Sequence, residues 1–144
     1  MPAASKINCK RVIVGGILGG VVWSLWGMII NTALLAKKYG EAQAAGEFLA
    51  QPRYPLFLLW YILILIVVSM GLAWLYAVSR ATLGPGPLSA IKVGLAVGLI
   101  GSVPSSFALS AWLPVSRYFP LGWLLEGLIG CTLATLFAGW YYRD

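Results

Sequence analysis

The residue with the clearest capacity for chemistry is Glu126, an acidic side chain inside a long apolar run. Ionisable groups at membrane depth are costly, usually face the interior of a helix bundle, and mark proton or ion pathways. At about 1.5 Å per residue, Glu126 lies roughly 8 Å below the outer end of its predicted helix. Because Gly122 and Gly130 flank it on one helical face, we expect the carboxyl group to point into the bundle.

Four further polar residues are predicted at a depth similar to that of Glu126. They are Asn31 in the first apolar run, Tyr61 in the second, and Ser106 and Ser110 in the third. Together with Glu126 they predict a buried polar layer in the outer third of the membrane. Such a layer has two interpretations: hydrogen bonds that tie helices together, or a site that a proton or ligand reaches.

Residues for other kinds of chemistry are scarce, and we predict no catalytic residues, no metal site and no cofactor. One carboxylate does not make an acid–base pair, and no nucleophile–base pair is visible. Histidine is absent, and Cys9 and Cys131 are too far apart to suggest a zinc, haem or iron–sulfur site. A pigment or quinone held by aromatic side chains is a further alternative, although aromatic belts at the membrane surfaces explain most of these rings.

The composition identifies the solvent that surrounds these residues. Apolar residues make up 60% of the chain, charged residues 10%, and the mean hydropathy is +0.88, whereas soluble domains are about 45–50% apolar and about 25% charged. Four apolar runs, at about 12–36, 55–79, 93–114 and 121–142, each reach the roughly 20 residues that span a bilayer. The sequence therefore predicts an all-α, polytopic four-transmembrane-helix bundle that forms a single transmembrane domain over 1–144.

The connections and charges suggest a topology. Apolar residues recur at helical spacing around 38–50, which predicts an interfacial helix, and Gly84-Pro85-Gly86-Pro87 predicts a rigid turn. The basic residues divide between two sides, Lys6, Lys10, Arg11, Arg80, Lys92 and Arg143 against Lys37, Lys38, Arg53 and Arg117. This bias favours an inner-membrane protein with both termini in the cytoplasm, dual topology being the alternative. Because the basic residues are scattered among helix ends, we expect them to bind anionic lipid headgroups and not nucleic acid.

Small residues predict how the helices pack. Helices in lipid approach closely where small side chains let their backbones touch. The second run, rich in Leu, Ile and Val, lacks a comparable ridge of glycines. We therefore expect the first, third and fourth helices to form the tight core, with the second facing lipid or a partner. The predicted packing positions are Gly16, Gly20, Gly27, Gly94, Gly98 and Gly130.

The two halves of the chain resemble each other. A shift of 82 residues aligns Lys10, Gly16 and Ser24 with Lys92, Gly98 and Ser106. A shift of 65 residues aligns the runs that begin at Pro55 and Pro120, including Leu63 with Leu128. These matches predict two repeated helical hairpins related by an axis along the membrane normal.

Three segments carry a resemblance to a known class of proteins: Lys10-Arg11 leading into Gly15-Gly16-Ile17-Leu18-Gly19-Gly20, the Gly84–Pro87 turn, and the closing Ala138-Gly139-Trp140-Tyr141-Tyr142-Arg143. Over its whole length the chain resembles small four-helix bacterial membrane proteins of uncharacterised function, which implies a fold but no activity. Its four short helices, near-balanced topology and buried glutamate are also similar to the small multidrug resistance transporters. In that family the essential glutamate lies in the first helix, where this chain has Asn31.

Two functional hypotheses follow from these features. The first is a non-enzymatic membrane subunit or small scaffold that packs in a homo-oligomer or with other membrane subunits. The alternative is a small proton-coupled transporter or channel that uses Glu126, with Asn31 and Tyr61 lining the path. An enzyme that acts on lipid is a weaker third hypothesis, because the sequence offers so few catalytic side chains.

Overall fold

The computed structural model describes residues 7–142, and in that range it contains helices and no strands. The helices are α1 Cys9–Ile29, α2 Ala36–Ala44, α3 Phe57–Leu83, α4 Pro87–Trp112 and α5 Tyr118–Tyr141. A π-helical turn, Ile30–Leu34, continues α1. Four helices are long and apolar enough to cross a membrane: Cys9–Leu34, α3, α4 and α5. The predicted four-transmembrane-helix bundle is therefore confirmed.

The spanning helices extend beyond four of the eight predicted boundaries and fall short of the other four by one or two residues. Helix α1 begins at Cys9 because the Asn8 side chain accepts a hydrogen bond from the Arg11 amide, at 3.1 Å, as N-cap residues do. Helix α4 begins six residues before the predicted 93, since Pro87 occupies its first turn, where the missing N–H costs nothing. Arg80 and Lys92 lie inside helices α3 and α4. The charged residues that limit the apolar runs therefore do not end the helices, which continue past them.

A helix is present in the region where the interfacial helix is predicted, but it is shorter than 38–50. Helix α2 ends at Ala44, and Gly46 follows with a left-handed φ of 75°, a conformation that glycine adopts without steric cost. On its exposed surface Lys38 pairs with Glu41 at 2.6 Å, and this hydrogen bond lowers the pKa of Glu41. We call the end of the bundle that holds α2 and the start of α5 the loop end, and the opposite end the terminal end.

The arrangement of the helices corrects the predicted core. Helix α1 packs between α3 and α5, and α4 packs mainly against α5, whereas α1 and α4 lie apart. In α3 and α4 alike, 22% of the most apolar window is buried. The prediction that the second spanning helix is the exposed one is therefore wrong. The glycines of α1 pack against α3 although α3 has no matching glycines. The space above a glycine accommodates a larger residue of the neighbouring helix, such as Met70 or Ile66.

The predicted packing glycines all lie in close helix contacts. A Cβ atom at Gly16 or Gly20 would lie 2.5 Å from the Cα atom of Met70 or Ile66 on α3. The same atom at Gly94 would lie 2.6 Å from Cα of Thr132 on α5, and at Gly98 3.0 Å from Cα of Leu128. On α5, a Cβ at Gly130 would overlap the Trp23 indole. Gly27 faces the Glu126 side chain and is described below.

In each of the two predicted hairpins, glycines of the first helix pack against the second helix. The contacts lie at positions that do not correspond in the repeat alignment. Gly16 meets α3 at Met70, whereas Gly98, its counterpart after a shift of 82 residues, meets α5 at Leu128. Leu128 corresponds to Leu63 in the repeat alignment, about two helical turns from Met70. The repeat stays a prediction, and the two halves differ in how their helices are placed.

The terminal end is closed by hydrogen bonds to the backbone. The Tyr76 hydroxyl lies 3.2 Å from the Gly86 amide nitrogen and 3.4 Å from the Gly86 carbonyl oxygen. Arg80 donates to the Tyr142 carbonyl oxygen at 3.2 Å, and the Asn8 amide donates to the Tyr142 hydroxyl at 2.9 Å. These bonds border a cavity of about 640 Å³. Lys6 and Arg143, predicted at this end, lie outside the described residues.

Candidate functional site

Glu126 is buried among three spanning helices at the loop end, with 3% of its surface exposed. Its Oε2 atom accepts a hydrogen bond from Asn31 Nδ2 at 3.0 Å. Its Oε1 atom accepts one from the Tyr61 hydroxyl at 2.5 Å. Residues from α5, α3 and the continuation of α1 therefore meet at a single carboxyl group, at the common depth that the sequence predicts.

Asn31 lies in the π-helical turn at the end of the first spanning helix. The defining bond of this turn runs from the Leu35 amide to the Ile30 carbonyl oxygen, at 3.1 Å. π-Helical turns are rare and often occur at functional sites. Asn31 Nδ2 also donates to the Gly27 carbonyl oxygen at 2.8 Å. Two acceptors thus hold the amide nitrogen and fix the orientation in which it faces Glu126.

The hydrogen-bond network continues from Asn31 toward the membrane surface. The Tyr39 hydroxyl on α2 donates to Asn31 Oδ1 at 2.9 Å, and Trp123 Nε1 donates to that hydroxyl at 3.3 Å. Burial raises the pKa of Tyr39, so its hydroxyl stays protonated and remains a donor. We call Trp123, Tyr39, Asn31, Tyr61 and Glu126 the carboxylate network.

Every bond in the carboxylate network is directed toward Glu126. Trp123 donates to Tyr39, Tyr39 to Asn31, and both Asn31 and Tyr61 to the carboxyl group. A carboxylate has about four acceptor positions, so two bonds leave capacity for another donor. The ion pair within residues 7–142 is Lys38–Glu41, and Glu126 has no basic partner in that range. Buried charged groups in proteins are usually paired with an opposite charge or bound to a cation, and the environment of Glu126 offers room for such a partner.

Gly27 provides the space that Glu126 occupies. A Cβ atom at this position would lie 2.7 Å from Glu126 Oε1 and 3.3 Å from Cδ, closer than packed side-chain atoms approach. Gly27 lies one helical turn before Asn31 and lines the same cavity. The glycine therefore serves the carboxyl group and not a backbone contact between helices.

A cavity of about 840 Å³ leads from the loop end to Glu126. Its walls come from α1, α3, α2, the connection after α2, and α5. The aromatic side chains that line it are Tyr39, Phe48, Tyr54, Phe57, Tyr61 and Trp123. Cavities of this size hold small molecules, with apolar walls for affinity and a few polar groups for orientation.

The connection that covers this cavity is held down by aromatic contacts. Phe48 packs edge-on against Phe119 with ring centroids 4.8 Å apart, and lies 5.8 Å from the Tyr39 ring. At the far end of the connection Leu56 adopts φ 57° and ψ 31°, a left-handed conformation that is costly for a residue with a branched side chain. The connection is thus packed against the bundle through Phe48, and its backbone is strained at Leu56, where it enters α3.

The two predicted serines do not belong to this site. Ser106 is buried on α4 and lies outside the cavity wall, and Ser110 is exposed. Helix α4 packs against the side of α5 that carries Gly127, where a Cβ would overlap Ser102, whereas Glu126 faces α1 and α3. The prediction of a layer that includes Ser106 and Ser110 is therefore wrong.

Tyr39 and Trp123 are members of the site that the sequence did not reveal. Tyr39 matched the expected aromatic belt at the membrane surface, yet it is half buried and bonded to Asn31. The available signal was its position on a short amphipathic helix next to Asn31. No protein-family model, curated protein or solved structure matches this chain, so the resemblances suggested by the sequence stay expectations.

Proposed function

We propose that this chain is a small proton-coupled transporter and not an enzyme, and that Glu126 alternately binds a proton and a cationic substrate. The observation that carries the proposal is the environment of its carboxyl group. Glu126 is nearly fully buried, forms the end of a large cavity, and has two neutral donors but no basic partner within residues 7–142.

The network geometry supports exchange of the two cargoes. In the carboxylate form both oxygens accept, from Asn31 and Tyr61, and a cation in the cavity completes the charge balance. In the protonated form the Glu126 hydroxyl donates to the Tyr61 oxygen, which accepts as readily as it donates. Asn31 keeps its bond to the Gly27 carbonyl oxygen in both forms. Binding of one cargo therefore requires release of the other.

The orientation remains part of the proposal. We place the chain in a bacterial inner membrane with both termini in the cytoplasm, in line with the positive-inside rule. The bias comes from the full sequence, where six basic residues are predicted at the terminal end and four at the loop end. Lys6 and Arg143 make this difference and lie outside the described residues, among which each end carries four. In this orientation the cavity at Glu126 faces the periplasm.

Flux measurements in vesicles test this function. Purified protein is reconstituted with a pH-sensitive dye inside, and a gradient of tetraethylammonium, a permanently charged cation that carries no proton itself, is imposed. We expect wild-type protein to move protons against the cation gradient and Glu126→Gln to lose this movement. The control Glu41→Gln removes an exposed carboxylate at the same end and should retain it. Equal fluxes in wild type and Glu126→Gln, with both variants folded, would overturn the proposal.

The second candidate is the non-enzymatic subunit or scaffold. It is favoured by the exposed apolar face of α4 that carries Ile100 and Phe107. The glycines that motivated this hypothesis are engaged within the chain, which leaves this face as its main support. Mass measurement in mild detergent tests the candidate, since a strictly monomeric protein that co-purifies with no other subunit would contradict it.

A further inference from the structure

The cavity at Glu126 opens sideways between two spanning helices. Helices α1 and α3 touch where Gly16 meets Met70 and Gly20 meets Ile66. One turn nearer the loop end, Ser24 on α1 and Ile62 on α3 both line the cavity. Another turn on, Met28 and Leu58 line it with 50% and 57% of their surfaces exposed. These exposed side chains place an edge of the cavity on the side of the bundle, between α1 and α3, and we call this lateral opening the gap.

Two opposite charges line this cavity. Glu126 lies at its buried end, and Arg53 lines it from the connection before α3. Within residues 7–142 neither side chain is within ion-pair distance of an opposite charge. Tyr61, which bonds Glu126, is four residues into α3, about 6 Å along the helix axis, whereas the Arg53 backbone precedes that helix. The cavity thus presents a negative group at depth and a positive group near the surface.

These features together define a ligand that is both dipolar and amphiphilic. We propose that the cavity binds an aminophospholipid, with the ammonium group at Glu126, the phosphate at Arg53, and an acyl chain leaving through the gap between α1 and α3. A primary ammonium is preferred to a quaternary one because Glu126 retains acceptor positions that need N–H donors. The guanidinium of Arg53 matches a phosphate with paired donors.

This inference rests on the proposed function in one respect, that Glu126 is a ligand-binding carboxylate. It does not require that tetraethylammonium be a good substrate. A soluble zwitterion carries the same two charges, but it would leave the apolar gap lined by Met28 and Leu58 unused. The lipid is therefore the occupant that the whole cavity fits.

Native mass spectrometry of the full chain tests the inference. Protein in detergent is mixed with phosphatidylethanolamine, phosphatidylcholine and phosphatidylglycerol of identical acyl chains, and the lipid that stays bound is weighed. We expect phosphatidylethanolamine to be retained at least tenfold better than phosphatidylglycerol. Glu126→Gln and Arg53→Gln should each reduce this preference about tenfold. Arg53 is exposed in a connection, so its variant keeps the fold.

Matched controls remove the same charges at the same end of the bundle but outside the cavity. Glu41→Gln and Arg117→Gln should leave lipid selectivity unchanged. Soluble phosphoethanolamine should fail to compete at concentrations where the lipid saturates; effective competition would show a soluble ligand and overturn the assignment to a lipid. Equal retention of the three lipids, or equal effects of cavity and control variants, would also overturn it.

The outcomes separate this inference from the proposed function. Lipid selectivity that depends on Glu126 and Arg53, in a protein without any coupled proton movement, would support the lipid site and contradict transport. Coupled movement of tetraethylammonium that depends on Glu126, with no lipid selectivity, would contradict the lipid site and leave transport standing.

Discussion

The two ends of the bundle each hold a cavity bordered by tyrosines and by charged side chains, but they use their polar groups differently. At the terminal end, Tyr76 and Arg80 bond to backbone groups of Gly86 and Tyr142. At the loop end, Tyr39, Asn31 and Tyr61 bond to one another or to Glu126 through side chains. Backbone partners cannot change their protonation state, whereas a carboxyl group can. The comparison indicates that the hydrogen bonds of the terminal end stabilise the fold. Those of the loop end surround a group that can gain or lose a proton.

Among the substitutions considered, replacing Glu126 should have the largest effect on function, because it removes the group that exchanges a proton. Glu126→Gln keeps the size and hydrogen-bonding shape of the side chain but cannot exchange a proton. When tetraethylammonium is added to lightly buffered, solubilised protein, wild type should release up to about one proton per chain, the capacity of one carboxyl group, and the variant none. A pH electrode measures this directly, with Glu41→Gln as the control. Proton release that persists in Glu126→Gln would place the switch elsewhere.

Adding one methyl group to either of two glycines should separate function from packing. In Gly16→Ala the new Cβ meets the backbone of Met70 at 2.5 Å, and such overpacking costs about 1–3 kcal/mol of stability. In Gly27→Ala it meets the mobile end of Glu126 at 2.7 Å, so the fold should survive while coupled flux falls. Thermal unfolding and vesicle flux measure the two effects. The same loss of stability in both variants would contradict the distinction.

Removing the Tyr61 hydroxyl should weaken the site without abolishing it. Tyr61→Phe deletes one of the two donors to Glu126, and hydrogen bonds to charged groups contribute about 1.5–3 kcal/mol. We expect tetraethylammonium-coupled flux to fall roughly tenfold, since about 1.4 kcal/mol corresponds to a factor of ten. Tyr54→Phe is the matched control, because Tyr54 lines the same cavity but is exposed. Equal fluxes in these variants would show that the Tyr61 bond has no part in coupling.

The smallest effect should come from the terminal end. Tyr76→Phe removes the bonds to Gly86 and should lower the free energy of unfolding by about 1 kcal/mol. Coupled flux should stay at the wild-type level, because these bonds do not involve Glu126. Denaturation in detergent and vesicle flux, measured on the same preparation, test both statements. A clear loss of flux at unchanged stability would show that the terminal end also takes part in transport.

The fold could be predicted from the sequence because a bilayer demands long apolar helices, and four such runs are present. The meeting of Glu126, Asn31 and Tyr61 followed from counting depth along each helix. Counting depth does not give the direction in which a side chain points, and the serines of α4 were misplaced for that reason: Gly127, next to Glu126, faces α4 in its place.

Two other features lay beyond reasoning from sequence patterns. The close packing of α3 on α1 uses the backbone at Met70 and Ile66, which no small-residue pattern marks. Tyr39 reaches Asn31 because a π-helical turn precedes α2. A helix in this region was predicted, but no pattern of apolar residues identifies the π-helical turn that sets its direction.

The π-helical turn at Ile30–Leu34 determines the direction in which the residues after it face. Because its bond spans five residues where an α-helix spans four, the turn holds one residue more than a regular helix needs. If the same residues closed as ordinary α-helix, with none removed, every residue after the turn would rotate by about 100° from its present direction. Leu35 would leave its contact with Gly122, and α2 would carry Tyr39 away from Asn31. The π-helical form of this turn thus determines whether Tyr39 on α2 is connected through Asn31 to the buried carboxyl group.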